Sequence, residues 1–212
     1  MKIAVIGANS TLGRKVVLKA EEKGIGVIGM VRSAENLVGN GPLVLKDYHL
    51  LQSDDLEGCH CIVDTVSFVH IERYSTEMLP LWRLLEIVSP EQQLLCVGSC
   101  AFLYTDESRR QILLESGMLC NENDKGQLRQ CVNAYERLRM NESVRWSVLC
   151  PPLILDRRGY GTGRIEFAGD VFPLGLDGHS QISVVDLASA VIELLLRGLP
   201  EHGLVSVRSL PR

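Results

Sequence analysis

The chain has no excess of basic charge. Its 22 lysines and arginines face 26 aspartates and glutamates, a net charge of −4, so it offers no positive field to draw in nucleic acid. It has no uninterrupted apolar run approaching the ~18 residues of a membrane span, and no basic-then-apolar leader precedes its first apolar stretch. These two absences lead to the expectation of a cytoplasmic protein that does not enter membranes. No disulfide framework is implied either. The cysteines (Cys59, Cys61, Cys96, Cys100, Cys120, Cys131 and Cys150) are odd in number and scattered, as free thiols in a reducing compartment are. Cys59-His60-Cys61 has ligand-type side chains but no second pair at zinc-site spacing, and no metal site is expected. There is no internal repeat and no linker. At 212 residues, 46% apolar and 23% charged, the composition suits one α/β domain spanning 1–212.

Against these absences stands one dense local signal. The apolar run Lys2-Ile3-Ala4-Val5-Ile6 enters Gly7-Ala8-Asn9-Ser10-Thr11-Leu12-Gly13, and a helical pattern (Leu12, Val16, Val17, Ala20) follows at once. Strand, glycine-bearing turn and helix in that order form a cradle for a dinucleotide pyrophosphate. The first amides and the dipole of the helix point at the ligand, and glycine at positions 7 and 13 removes Cβ atoms that would block the ligand or the strand. The expected contacts are Gly7, Asn9, Ser10, Thr11, Leu12 and Gly13. Ser10 stands where many such turns have a middle glycine. A tight strand-to-helix turn with no ligand is the alternative.

Further along, strands are expected at 25–31, 44–45, 61–66 and 93–97, with a brief polar helix or turn at 50–56 and a helix at 76–88. Helical patterns follow at 107–115 and 127–140. A strand over Trp146-Ser147-Val148-Leu149 is stopped by Pro151 and Pro152, a helix opens at Ser183 with capping-box spacing, and a last strand spans 204–207. Residues 157–180, rich in glycine and carrying Tyr160, Phe167 and Phe172, suggest a binding loop with small β pieces. Short, continuously apolar strands alternating with helices call for a doubly wound parallel sheet, Rossmann-like, of about seven strands with a short C-terminal cap. The apolar helices could cover the sheet or pair with a second subunit, so a homo-oligomer is possible.

Four motifs in order, Met1 to Ala8, Val31-Arg32-Ser33, Trp146 to Pro152 and Ile182 to Ala188, resemble the atypical short-chain dehydrogenase/reductases. The similarity is to the small NAD(P)H-binding branch that includes NADH-flavin-reductase-like and biliverdin-reductase-B-like proteins, and it covers nearly the whole chain. It implies a dinucleotide lying across the strand ends. NAD-specific folds place a carboxylate near the end of the second strand, whereas a cation there suits a 2′-phosphate. Arg32 holds that position, its guanidinium fork suits a phosphate, and Glu35 lies further into the loop. NADP(H) is therefore favoured over NAD(H), although a loop arginine can equally be a solvated surface residue. Asp47 resembles the carboxylate that meets the adenine amino group, or it is a turn aspartate. Thr65, Val66 and Ser67 should pass beside the ribose and pyrophosphate, and Pro151 is a further expected cofactor contact.

Many short-chain reductases use a Ser or Thr, a Tyr, and a Lys four residues after that Tyr as an acid–base set. This chain fits that pattern poorly. Ser99 lies one residue from the expected hydroxyl position, which falls on or beside Cys100, and Tyr135, a tyrosine followed by a base, has Arg139 where Lys is needed. Tyr135 also shares a helix face with Leu128, Cys131 and Leu138, which points to the core. Ser99 and His70 are the catalytic candidates, with Phe68 and Tyr74 nearby in the loop after the fourth strand. The expected function is an NADPH-dependent reductase of a small acceptor such as a quinone, flavin or carbonyl compound. The alternative is a non-catalytic NADP(H) sensor that acts through a protein partner, similar to the nitrogen-repression regulators. A sugar-nucleotide epimerase is disfavoured, because it needs the Tyr and Lys.

Overall fold

In the computed structural model, which describes residues 1–118, 122–175, 178 and 180–210, ten strands and four helices alternate. The strands are β1 (Lys2–Ile6), β2 (Gly26–Val31), β3 (Leu43–Leu45), β4 (Cys61–Asp64), β5 (Gln93–Val97), β6 (Arg145–Cys150), β7 (Ile154–Asp156), β8 (Ile165–Ala168), β9 (Gln181–Ser183) and β10 (Gly203–Ser209). The helices are α1 (Thr11–Glu22), α2 (Pro80–Ile87), α3 (Glu122–Leu138) and α4 (Val184–Arg197). Eight strands form one sheet in the order β3-β2-β1-β4-β5-β6-β10-β8, parallel throughout except for β8, which runs antiparallel to β10. β7 and β9 pair separately.

Side chains alternate across the sheet, and helices cover both faces. Ile3, Val5, Cys61, Val63, Leu95 and Val97 join the buried faces of α1 and α4, while Ala4, Ile6, Ile62, Leu94, Cys96 and Trp146 join those of α2 and α3. This two-sided burial is why the strands have no polar alternation. The chain is a single Rossmann-like α/β domain, as its alternating pattern predicts. The strand order reverses at β1, which lies between β2 and β4, and this reversal leaves a crevice beyond the carboxyl ends of the strands. No described helix is long and apolar enough to cross a membrane.

Several local expectations are corrected. β4 ends at Asp64 rather than residue 66, because the Asp64 carboxylate accepts hydrogen bonds from the amides of Val66 (2.8 Å) and Ser67 (3.0 Å) and turns the chain. The helix expected over 76–88 is broken at Leu79, whose ψ of 135° is the extended conformation imposed by the following Pro80; α2 starts at that proline. Residues 107–115 are not helical. Asp106 accepts from the Ser108 amide, Arg109 turns at φ 52°, and the chain doubles back so that Tyr104 bridges Ile112; a short 3-10 turn at Leu113–Glu115 follows. Residues 50–56 lie in two 3-10 turns, Tyr48–Leu50 and Ser53–Leu56. α3 begins at Glu122 and ends at Leu138, and Cys120 lies outside the described residues. The glycine-rich stretch supplies β8, a half-buried edge strand, so the sheet has eight strands.

α4 is capped as its sequence suggests, with Ser183 Oγ accepting from the Asp186 amide at 3.0 Å. Asp186 does not reach back to complete a capping box. Buried at 1% exposure, its carboxylate accepts from the Thr162 and Gly163 amides and from the Thr162 and Ser209 hydroxyls at 2.7–3.1 Å, clamping the 162–163 loop and the end of β10 to the helix. Burial opposes its charge, but these hydrogen bonds outweigh burial and hold the carboxyl below its ordinary value. A lowered folded pKa gives stability that is present above the unfolded value, near 3.9, and lost as pH falls through the folded one. Asp186→Ala is expected to cost about 3 kcal/mol at pH 7 in urea unfolding. Below about pH 4 the difference from the parent protein should shrink.

Candidate functional site

The cleft at the reversal point, about 530 Å³, is lined by Gly7, Asn9, Ser10, Arg32, Ser33, Asp47, Tyr48, Val66, His70, Arg73 and Tyr74. Its floor is the turn between β1 and α1. Gly7 has φ +78°, and a Cβ there would lie 2.4 Å from Val66 Cγ2. Gly13 serves the contact between helix and strand: a Cβ on it would lie 2.0 Å from the Gly7 carbonyl oxygen, so no other residue lets α1 start this close to β1. Ser10 caps α1 by accepting from the Gly13 amide at 2.9 Å. The Thr11 and Leu12 amides, in the same first turn, have no intrahelical acceptor and remain for a ligand.

Asn9 lines the cleft, but its side-chain amide is engaged within the protein. Nδ2 donates to the Ser33 carbonyl (3.0 Å), Ser33 Oγ (3.3 Å) and the Glu35 carbonyl (3.2 Å), fastening the loop after β2 to the glycine turn. Arg32 leaves β2 and lays its guanidinium over two tyrosine rings, 5.3 Å from the Tyr48 centroid and 5.6 Å from that of Tyr74. Among the described residues it has no carboxylate partner. Burial pushes the Tyr48 hydroxyl up to about 12; Tyr74 adds to the shift and the Arg32 charge partly offsets it. Asp47 also lines the cleft and caps the turn beside it, with Oδ1 accepting from the His49 amide at 3.0 Å, so the turn reading and the cleft reading of this residue hold together. Tyr48, Ser33 and Arg73 were not foreseen as cleft residues. The available signal for Tyr48 was an aromatic just past the third strand end.

The expectation for the end of β4 is corrected in part. Val66 lines the cleft, but the side chains of Thr65 and Ser67 turn inward and are fully buried. Thr65 Oγ1 donates to the Ile6 carbonyl at 2.7 Å, tying β4 to β1, and Ser67 Oγ accepts from the Leu81 amide at 3.0 Å, serving the start of α2. Asp64 between these strands is buried, and burial pushes its carboxyl upward. Ser99 and Pro151 follow the adjacent strands β5 and β6 at the same end of the sheet, outside the lining of this cleft. Ser99 Oγ accepts from the Ala101 amide at 3.2 Å and caps a 3-10 turn.

Candidates for proton transfer narrow. His70 lines the cleft, and its pKa is lowered by burial and by the Arg73 charge, with Glu72 3.8 Å away opposing, so its environment disfavours the protonated form that a general acid needs. Tyr135 stacks on Phe102 (4.5 Å between centroids) and meets Trp146 edge-on at 6.3 Å. Burial raises its hydroxyl to about 12, and the Arg139 charge, which pairs with Glu136 at 3.0 Å, offsets this only in part. Burial likewise holds the Cys100 thiol at about 12, which makes it inert. Cys59 and Cys61 belong to core clusters on opposite faces of the sheet, a poor arrangement for shared metal ligation.

The geometry has clear relatives. No family model matches the chain. The uncharacterized protein YwnB of Bacillus subtilis (strain 168) is 27% identical over 214 residues, covering 95% of this chain and 94% of its own. A crystal structure from Streptococcus pneumoniae TIGR4, provisionally named an NADH-flavin reductase, superposes with a TM-score of 0.89 at 26% identity, over 99% of this chain and all of that one. The chain shares the Rossmann-like fold of that structure. A protein provisionally named an NAD-dependent epimerase/dehydratase, from Bacillus halodurans, shares this fold at 16% identity, with a TM-score of 0.72 and coverage of 99% and 94%.

Gly13→Ala should force α1 away from β1, lower the melting temperature by several degrees and abolish dinucleotide-induced stabilisation in a thermal-shift assay. Tyr135→Phe removes one hydroxyl from an aromatic stack and should leave reductase turnover within about twofold, whereas a proton donor at this position would cost about 100-fold or more.

Proposed function

We propose that this protein is a cytoplasmic NADP(H)-dependent reductase of a small acceptor. The observation that carries this reading is Arg32: a guanidinium without a carboxylate partner among the described residues, at the end of β2, lining a cleft with Gly7 and Ser10, next to the first turn of α1, where the Thr11 and Leu12 amides have no intrahelical acceptor. The donor set fits the group. Two backbone amides at a helix N-terminus suit a pyrophosphate, and a planar cation where NAD-specific folds place a carboxylate suits a 2′-phosphate.

NADP(H), when bound, supplies a hydride to an electrophilic acceptor. The protein's part is to bind and orient. Thr11 and Leu12 hold the pyrophosphate through their amides, Val66 packs beside Gly7 along its path, and Asp47 offers an acceptor to the adenine amino group. Ser99 and Pro151, at the ends of β5 and β6, border the reacting end. His70 offers a neutral ring N–H as a donor toward charge developing on an acceptor. Quinones and flavins, whose reduced forms take protons from water, suit this sparse acid–base equipment better than substrates that need a strong internal acid.

A second reading, the NADP(H) sensor, is favoured by one observation: the Tyr135 ring is locked in an aromatic stack and Ser99 Oγ caps a turn, leaving no tyrosine–lysine pair. The readings part on turnover. NADPH is titrated by fluorescence, and its absorbance at 340 nm is then followed with a panel of quinones, flavins and carbonyls; oxidation by any of them establishes the reductase, and tight binding with none establishes the sensor. Arg32→Ala should weaken NADPH by about 1–3 kcal/mol and leave NADH nearly unchanged. Equal loss for both coenzymes would remove the assignment of NADP(H).

A further inference from the structure

We propose that the choice between NADPH and NADH is made by a three-residue stack, in which the rings of Tyr48 and Tyr74 hold the Arg32 guanidinium in place for the 2′-phosphate. This rests on the coenzyme reading above and adds two positioning residues to it.

The three side chains come from the ends of three different strands: Arg32 follows β2, Tyr48 lies in the turn after β3, and Tyr74 lies in the loop after β4. All three line the same cleft. An exposed arginine is ordinarily a flexible side chain, and ordering it on a ligand costs conformational entropy. Here ring faces at 5.3 and 5.6 Å hold the guanidinium plane before a ligand arrives, and the electron-rich faces favour the cation without neutralising it. A carboxylate partner would hold Arg32 equally well but would compete with the phosphate. Tyrosines position the group without placing a competing carboxylate on it; the Tyr48 hydroxyl engages one side of the guanidinium, and the other donors of the fork suit recognition of a phosphate.

The supports of the two rings differ. Tyr48 is 4% exposed, and its turn is fixed by the Asp47 cap. Tyr74 is half-buried, and its hydroxyl is shielded from solvent and has no hydrogen-bond partner among the described residues. The Tyr74 hydroxyl therefore contributes no bond that anchors it, and the ring is the part that acts on Arg32. A phenylalanine at this position should serve as well, while an aliphatic side chain of similar size should not.

Dissociation constants for NADPH and NADH, and inhibition by 2′,5′-ADP against 5′-ADP, are measured on the parent protein, Tyr74→Phe, Tyr74→Leu and Arg32→Lys. Tyr74→Phe should keep the preference for NADPH within about twofold. Tyr74→Leu should weaken NADPH and 2′,5′-ADP by about 3- to 10-fold, with NADH and 5′-ADP within twofold. Arg32→Lys keeps the charge but loses the stacking plane and the fork, and it should lower the preference by a similar factor or more. Equal losses for both coenzymes in Tyr74→Leu would make Tyr74 a structural residue and overturn the proposal, as would an unchanged preference. If Tyr74→Leu does not fold, Tyr74→Met is measured in its place and read by the same criteria. A parent protein that binds both coenzymes equally removes the coenzyme reading itself. A parent that prefers NADPH with Tyr74→Leu unaffected removes only the stack.

Discussion

The site depends on one close approach, the start of α1 against the end of β1. The Gly7 carbonyl occupies the space a Cβ of Gly13 would need, and this contact sets where the helix begins. Because α1 begins there, its first amides converge on the crevice where the sheet order reverses. Ser10 then takes up the Gly13 amide and leaves two amides facing outward. A helix displaced outward by even the width of a methyl group would carry its dipole and its donors away from the pyrophosphate path.

Around that contact the polar side chains divide into those that build the cleft and those that face it. Asp64, Thr65 and Ser67 are buried and spend their hydrogen bonds on turning the chain after β4, tying β4 to β1 and supporting α2. Asn9 fastens the loop after β2. These internal ties leave Arg32, Asp47, His70 and Arg73, beside the two tyrosines, as the charged or basic side chains lining the cleft. The C-terminal half is held in the same way: Asp186 gathers four donors and fixes the glycine-rich loop to the helix behind it. The weak acid–base equipment follows from this allocation, since Tyr135 and Cys100 serve the core and Ser99 serves a cap.

Much of this was legible in the chain before any coordinates. Continuous apolar runs predict strands buried on both faces, and the strand, glycine turn and helix at 2–20 predict the cradle. Arg32 after the second strand predicts the charge of the coenzyme pocket. The failures have identifiable causes. Periodicity over 107–115 suggests a helix, but only its end, Leu113 and Leu114, reaches the core, and the Asp106 turn competes successfully. The pattern over 76–88 ignores the restriction Pro80 places on Leu79. Thr65 and Ser67 have side chains suited to a ribose, yet burial gives them backbone partners instead.

The sequence alone determined the α/β alternation, the glycine turn and the cation at the end of β2, because each depends on local spacing and on residues within a few positions of one another. Only the tertiary structure decided which polar groups face the cleft and what surrounds Arg32. Tyr48 and Tyr74 lie 16 and 42 positions beyond it in the chain. Their rings meet the guanidinium because three strand ends converge, and no local periodicity carries that convergence.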